Sequence, residues 1–304
     1  MKYAIGIDIG GTNIRAALVD EELRVVRKEK RSSMDGLRES LLEMTDSLYG
    51  PEVVGVGVAV AGLVDREERV VKKSPNLEQV EGLDFGGLPG RAFSLPVFIE
   101  NDANAHALGE SKAGAGRDFL NFILLTLGTG IGGGVVYRGR LLDVAAELGH
   151  ITVETGGLSC PCGNSGCLES YASGRAVVNA VVSEIEAGRE TMLSECCDGN
   201  LYRITPLHIF EYALEGDNLA REVLKNAGRY LGVGIASLVN IFSPQAVLIG
   251  GGLANAWDIL VEEAKREARR RAFDELIEKV EIIPAELSDD AGVVGAASLV
   301  FDGL

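Results

Sequence analysis

The chain carries one local plan twice: an apolar β-favouring run, a glycine-rich turn, then a second β-favouring run. Residues 3–9 lead through Gly10-Gly11-Thr12-Asn13 into residues 14–19, and residues 119–127 lead through a turn at 128–134 into residues 135–138. Such turns let backbone N–H groups converge on a phosphate with no side chain in the way. A strand hairpin opens each half, and the mix of elements is α/β. The repeat is at domain scale and has no solenoid period. In the first turn Thr12 adds a hydroxyl donor, and Asp8 is an acid placed where a magnesium-bound phosphate would sit.

Two common phosphate motifs do not apply. The chain contains no G-x-x-x-x-G-K-[ST] sequence. Gly128-x-Gly130-x-x-Gly133 matches the dinucleotide pattern, but that pattern needs a helix directly after it, and Val135-Val136-Tyr137 favours a strand. A nicotinamide enzyme is therefore disfavoured.

The remaining pattern predicts strands at 53–60, 96–100 and 246–249, with 23–29 as a candidate third strand of the first half. Helical spacing covers 36–49, 103–113, 174–187, 206–214, 218–241, 256–271 and 291–301. At 304 residues, 46% of them hydrophobic, the chain can bury a substantial core and suggests two domains. The expected division is a small domain over 1–115, rejoined by 290–304, and a large domain over 116–289.

Charge narrows the partners. Lys and Arg number 29 against 45 Asp and Glu, a formal charge of −16, which repels phosphate backbones and anionic lipid. No nucleic-acid or membrane partner is expected. The first apolar run stops at Asp8, too short for a secretory or spanning segment, so the expected compartment is cytoplasmic. The five cysteines, three of them in one short loop, do not make a secreted disulfide framework.

Asp8-Ile9-Gly10-Gly11-Thr12-Asn13-Ile14-Arg15 resembles the first phosphate loop of the actin/hexokinase/Hsp70 superfamily. Five further motifs narrow the resemblance to the ROK family of sugar kinases and repressors. They are Glu100-Asn101-Asp102-Ala103-Asn104-Ala105, Leu127-Gly128-Thr129-Gly130-Ile131-Gly132-Gly133-Gly134, Glu147-Leu148-Gly149-His150, Cys160-Pro161-Cys162-Gly163-Asn164-Ser165-Gly166-Cys167-Leu168-Glu169 and Gly250-Gly251-Gly252. They stand in family order over essentially the whole chain, which looks most like the ATP-dependent glucokinase branch. The resemblance implies a two-domain actin-like ATPase (ribonuclease H-like) α/β fold with an inter-domain cleft. It also implies phosphorylation of a hexose, glucose above others, at the 6-hydroxyl by ATP with Mg2+, and a homodimer. The repressors carry an N-terminal helix-turn-helix domain, whereas this chain opens at the first phosphate-loop strand, so the kinase branch is expected.

Phosphoryl transfer needs an aligned hydroxyl, neutralised phosphates and a destination for the hydroxyl proton. The resemblance gives Asp102 the role of general base; on the residues alone, Asn-Asp-Ala reads better as a helix cap. It places Asn101, Glu147, His150 and Glu169 around the sugar, with Asn76 and the backbone near Gly62 contributing. Glu147 alone reads as a surface carboxylate. The expected ATP and phosphate residues are Asp8, Gly10, Gly11, Thr12, Asn13, Arg15, Gly128, Thr129, Gly130, Gly250, Gly251 and Gly252, although the last three could equally be a helix entry that binds nothing.

Cys160-x-Cys162-x4-Cys167 with His150 ten residues earlier supplies three thiolates and one imidazole, a closed tetrahedral set for a structural Zn2+. Three unliganded thiols are the alternative, against which Gly163 and Gly166 provide the tight turns of a metal knuckle. Cys196 and Cys197 have no assigned role. Other readings stay in play: a kinase for fructose, N-acetylmannosamine or N-acetylglucosamine, use of polyphosphate as donor, or a sugar-responsive regulator without catalysis.

Overall fold

A computed structural model describes residues 1–33, 36–74 and 77–303; the predicted sugar contact Asn76 lies outside the described residues. Two five-stranded sheets organise the chain. The first is built from β1 (Tyr3–Ile9), β2 (Asn13–Asp20), β3 (Val25–Ser32), β4 (Val53–Val60) and, past a small hairpin of β5 (Leu63–Asp65) and β6 (Val70–Lys73), β7 (Val97–Asn101). The second is built from β8 (Phe122–Leu127), β9 (Ile131–Tyr137), β10 (Arg140–Leu141), β11 (Ala246–Gly250) and β12 (Glu281–Pro284). Their strand orders, β3-β2-β1-β4-β7 and β10-β9-β8-β11-β12, correspond position by position, so the repeated plan of the sequence is a repeated sheet. In the first sheet β1 pairs antiparallel with β2 and parallel with β4, and β4 pairs parallel with β7.

The helices are α1 (Leu37–Leu48), α2 (Asp102–Ala113), α3 (Glu169–Ala172), α4 (Gly174–Glu186), α5 (Pro206–Glu215), α6 (Asn218–Phe242), α7 (Glu262–Arg271), α8 (Asp274–Ile277) and α9 (Ala291–Gly303). The chain divides into two compact units, one of Met1–Leu124, Gly134–Ala146 and Ala285–Leu304, the other of Leu125–Gly133 and Glu147–Pro284. Among the described residues no helix is long and apolar enough to cross a membrane.

Strand alternation explains how the first sheet is covered. Successive side chains point to opposite faces. Ile5, Ile7, Ile9, Val56, Val58 and Val60 cluster with Leu37, Leu41, Met44 and Leu48 of α1. The other face carries small residues and receives α9. A Cβ on Gly6 would sit 2.0 Å from the Val293 carbonyl oxygen, and one on Gly57 1.8 Å from that of Ala296, so only glycine lets the helix backbone lie on the strands. The helix meets α2 in the same way, with Ala105 and Gly109 facing Ala291 and Gly295. The returning C-terminal segment thereby clamps α2, which begins at Asp102, against the strands that carry Asp8.

The sequence reading does not contain β5, β6, β10, β12, α3 or α8, and two further differences bear on the glycine segments. The turn expected over 128–134 is shorter, because β9 begins at Ile131 and takes up Gly132, Gly133 and Gly134. The helix expected over 256–271 opens as a 3-10 turn (Gly252–Ala256) and one π turn (Trp257–Val261) before α7. Beneath that stretch α6 packs closely, a Cβ on Gly228 standing 2.3 Å from the Leu260 carbonyl oxygen.

Candidate active site

In the first unit the Gly10 N–H donates to the Asn13 carbonyl at 3.0 Å, closing the hairpin with Gly11 and Thr12 exposed at its tip. Asp8, 4% exposed, lies opposite Arg15 in the β1–β2 register. Its Oδ2 is 3.7 Å from Nη1 of Arg15 and 3.6 Å from Nε2 of His106, while Arg15 Nη2 reaches Asp289 Oδ1 at 2.9 Å. His106 stands four residues after Asp102 on α2, where side chains share a helix face. Burial pushes the Asp102 carboxyl above its ordinary range, the charge of His106 pulls against that, and Asp8 adds to the push. Burial alone would lower His106; the hydrogen bond and charge of Asp8, then the charge of Asp102, outweigh it and hold the imidazole above its usual value. The sequence reading missed His106, although its spacing from Asp102 was a usable signal.

Asn101, not Asp102, caps α2. Its Oδ1 accepts the N–H groups of Ala103 and Asn104 at 2.9 and 3.2 Å, and its Nδ2 donates to the Gly62 carbonyl at 3.0 Å. The neighbouring Glu100 holds this corner. Its buried carboxylate takes a two-pronged pair from Arg66 at 2.7 and 3.0 Å, the Asn101 N–H at 2.8 Å and Asn104 Nδ2 at 3.2 Å. Arg66 also pairs with Asp143. Neither Arg66 nor this role of Glu100 was foreseen.

The second unit contains a cavity of about 520 Å³ whose lining includes Gly128, Thr129, Gly174, Arg175, Asn179, Thr205, Pro206, Phe210, Gly252 and Asn255. It joins the second glycine turn to Gly252, two of the expected ATP segments. Gly250 and Gly251 do not line it; a Cβ on Gly251 would stand 2.5 Å from the Leu127 carbonyl oxygen. Gly130 has a different task. A Cβ there would lie 2.3 Å from Oε2 of Glu169. That oxygen accepts the Ile131 N–H at 2.7 Å, and Oε1 is 3.3 Å from Nη2 of Arg175. Glu169, 8% exposed, thus ties the start of α3 to the turn, and Arg175 reaches from Glu169 to the cavity wall.

Glu147 and His150 flank the 3-10 turn Leu148–His150, in which side chains three apart eclipse. Accordingly His150 Nε2 is 3.9 Å from Glu147 Oε2. The other ring nitrogen, Nδ1, is 3.5 Å from Cys160 Sγ, while Cys162 and Cys167 Sγ are 3.7 Å apart, and all four donor atoms lie within 4.8 Å of one another. Zinc bonds of ~2.3 Å to sulfur and ~2.0 Å to nitrogen give tetrahedral edges of roughly 3.8 Å between sulfurs and 3.5 Å between sulfur and nitrogen. The donor set fits. Gly163 and Gly166, at φ 95° and 77°, turn the knuckle, and the Cys160 N–H closes it on the Asn164 carbonyl at 2.8 Å. Burial, then the neighbouring thiols, push Cys167 up to about 12, while Cys162 is lowered, first by the Asn164 backbone N–H.

Two glycine turns at the heads of two like-ordered sheets, one beside a buried aspartate and one on a cavity, define an actin-like ATPase of mixed α/β architecture. A model described as the ROK family matches residues 4–302, and the chain belongs to that family. It is 36% identical over 310 residues to a glucokinase of Streptomyces coelicolor, covering 98% of each chain. It is also 31% identical over 317 residues to the xylose repressor of Bacillus subtilis, with 99% of this chain and 77% of the repressor covered. Among solved structures, a ROK family glucokinase from Streptomyces griseus in complex with glucose and AMPPNP superposes with a TM-score of 0.86 at 35% identity, covering 99% of this chain and all of the other.

Proposed function

We propose that the chain is an ATP-dependent hexose kinase that transfers a phosphoryl group to the 6-hydroxyl of glucose. One observation carries the reading beyond family membership: Asn101 supplies the cap of α2, so Asp102 is not spent on it, and burial raises the Asp102 carboxyl toward the range of a working base. Asp102 accepts the hydroxyl proton as the new bond forms. Asn101, Glu147, His150 and Glu169 contribute to holding the sugar, with Asn76 and the Gly62 backbone assisting. Asp8, Gly10, Gly11, Thr12, Asn13 and Arg15, with Gly128, Thr129 and Gly252 on the cavity, serve ATP directly, while Gly130, Gly250 and Gly251, outside the cavity lining, serve it through the backbone they shape. In this scheme Gly130 acts by leaving room for Glu169. Bound Mg2+ would neutralise phosphate charge near Asp8.

Zn2+ held by His150, Cys160, Cys162 and Cys167 is structural, since four protein donors leave no position for water. It sets the His150 ring so that Nε2 faces outward with Glu147. A cytoplasmic enzyme suits the free thiols of the chain, and the homodimer is carried over from the family resemblance alone.

The test is coupled ADP release with glucose, fructose, N-acetylmannosamine and N-acetylglucosamine as acceptors. Glucose should give the highest kcat/KM. Negligible turnover with glucose beside rapid turnover with an N-acetyl sugar overturns the substrate, and no turnover with any acceptor favours a regulator.

A further inference from the structure

The second unit holds another group of soft donors away from the knuckle. Cys196 and Cys197 Sγ are 3.3 Å apart, Cys197 Sγ is 3.6 Å from His208 Nδ1, and the three donor atoms all lie within 4.8 Å of one another. The sulfur-to-nitrogen spacing matches the tetrahedral edge of roughly 3.5 Å that zinc imposes, and the sulfur pair needs to open by about 0.5 Å to reach the edge of roughly 3.8 Å. Adjacent residues of an extended chain point to opposite sides. Here Cys197 and the next residue, Asp198, both take left-handed backbone, at φ 56° and 59°, a conformation uncommon for residues with a Cβ. The reversal brings both thiols round to His208 in the first turn of α5. Cys196 is buried, and Cys197 and His208 are half-buried, so the donors are partly dry and still reachable.

We propose that Cys196, Cys197 and His208 form a second metal site that takes one soft divalent cation of the zinc type. The two thiols lose their protons to solvent, two metal–sulfur bonds and one bond to Nδ1 form, and the fourth position is left to water. The set differs from the knuckle in offering three donors instead of four, so it binds more weakly and exchanges faster.

Loading has a local consequence. Without a cation, Nδ1 accepts the Thr205 N–H at 3.2 Å while the His208 N–H donates to Thr205 Oγ1 at 3.3 Å, a reciprocal cap of α5. The single lone pair of Nδ1 cannot serve both the cap and a metal. A cation therefore releases half the cap where Thr205 and Pro206 line the 520 Å³ cavity.

The test uses the full chain, reduced with a phosphine and brought to equilibrium by dialysis against a fixed concentration of Zn2+, with bound metal read by elemental analysis as the excess on the protein side. Cys196→Ser/Cys197→Ser should carry about one zinc fewer than the unmodified chain. Equal contents overturn the site, whatever the number, so the result does not depend on the knuckle. Should the double variant fold poorly, His208→Ala with Co2+ replaces it. Loss of part of the thiolate-to-cobalt absorption and at least ~10-fold weaker binding of the added equivalent support the site; identical spectra and affinity overturn it.

Discussion

His106 Nε2 sits 3.6 Å from Oδ2 of Asp8, one helical turn along α2 from Asp102. Arg15 Nη1 meets the same Asp8 oxygen at 3.7 Å, so imidazole and guanidinium share one carboxylate oxygen, while the charge of Asp102 also acts on His106. Burial raises Asp102, and a protonated His106 works against that rise by favouring the carboxylate. A base must be deprotonated to act, so kcat/KM should fall with decreasing pH through a pKa above the ordinary carboxylate value of about 3.9. In His106→Ala the favouring charge is gone, the carboxylate is harder to form, and the acid limb should move to higher pH. A limb that stays put or moves down would remove His106 from this role.

In the proposed mechanism, capping and catalysis separate on adjacent residues. Asp102→Asn should lower kcat by roughly 10²- to 10⁴-fold with little change in Tm, because Asn101 keeps the cap. Asn101→Ala should instead cost about 1 kcal/mol of stability, and more if the Gly62 carbonyl finds no water. Thermal melts beside steady-state rates on both variants decide this. A large Tm loss in Asp102→Asn would mean that the carboxylate is structural.

Chelation should act locally. If the proposed zinc is held by His150, Cys160, Cys162 and Cys167, stripping it frees the His150 ring, so KM for sugar should rise more than kcat falls. Hydrogen exchange should accelerate over residues 150–169 before the rest of the chain opens. Unchanged exchange there would show that the backbone bonds of the knuckle suffice without metal.

Glu110 is a fully buried carboxylate at the end of α2 whose partners are backbone amides. Its oxygens accept the N–H groups of Ala115, Glu286 and Leu287 at 2.8, 3.1 and 2.8 Å. Glu110→Ala leaves those donors buried and should destabilise by roughly 2–4 kcal/mol, read as a lower denaturant midpoint at unchanged slope. A loss below about 0.5 kcal/mol would mean that water replaces the carboxylate.

What could be read from the sequence had local causes. The β-branched run over Val53–Val60 reads as a buried strand, and the cysteine spacing reads as a loop that gathers its thiols beside His150. That Gly57 exists for α9 could not be read, because its partner Ala296 lies at the other end of the chain. The 128–134 turn was drawn too long because glycine signals a turn by propensity, while here Gly133 and Gly134 sit in a strand pressed by Leu148 and Ala107. That Asn101 caps α2 and leaves Asp102 out of the cap is a matter of side-chain direction, to which residue types are blind. Arg66 with Glu100 and His106 with Asp8 are pairs whose partners lie far apart along the chain or across elements.

The seat of α9 on glycine-faced strands has a consequence for synthesis. β1 and β4 leave the ribosome well before α9, which follows the whole second unit. Until then one face of the first sheet waits uncovered, and its small residues offer a nascent chain less to stick to than the isoleucine face already sheltered by α1. Translation order thus makes α9 the latch of the first unit, and a ribosome stalled before residue 291 would release a chain with its early strands still open.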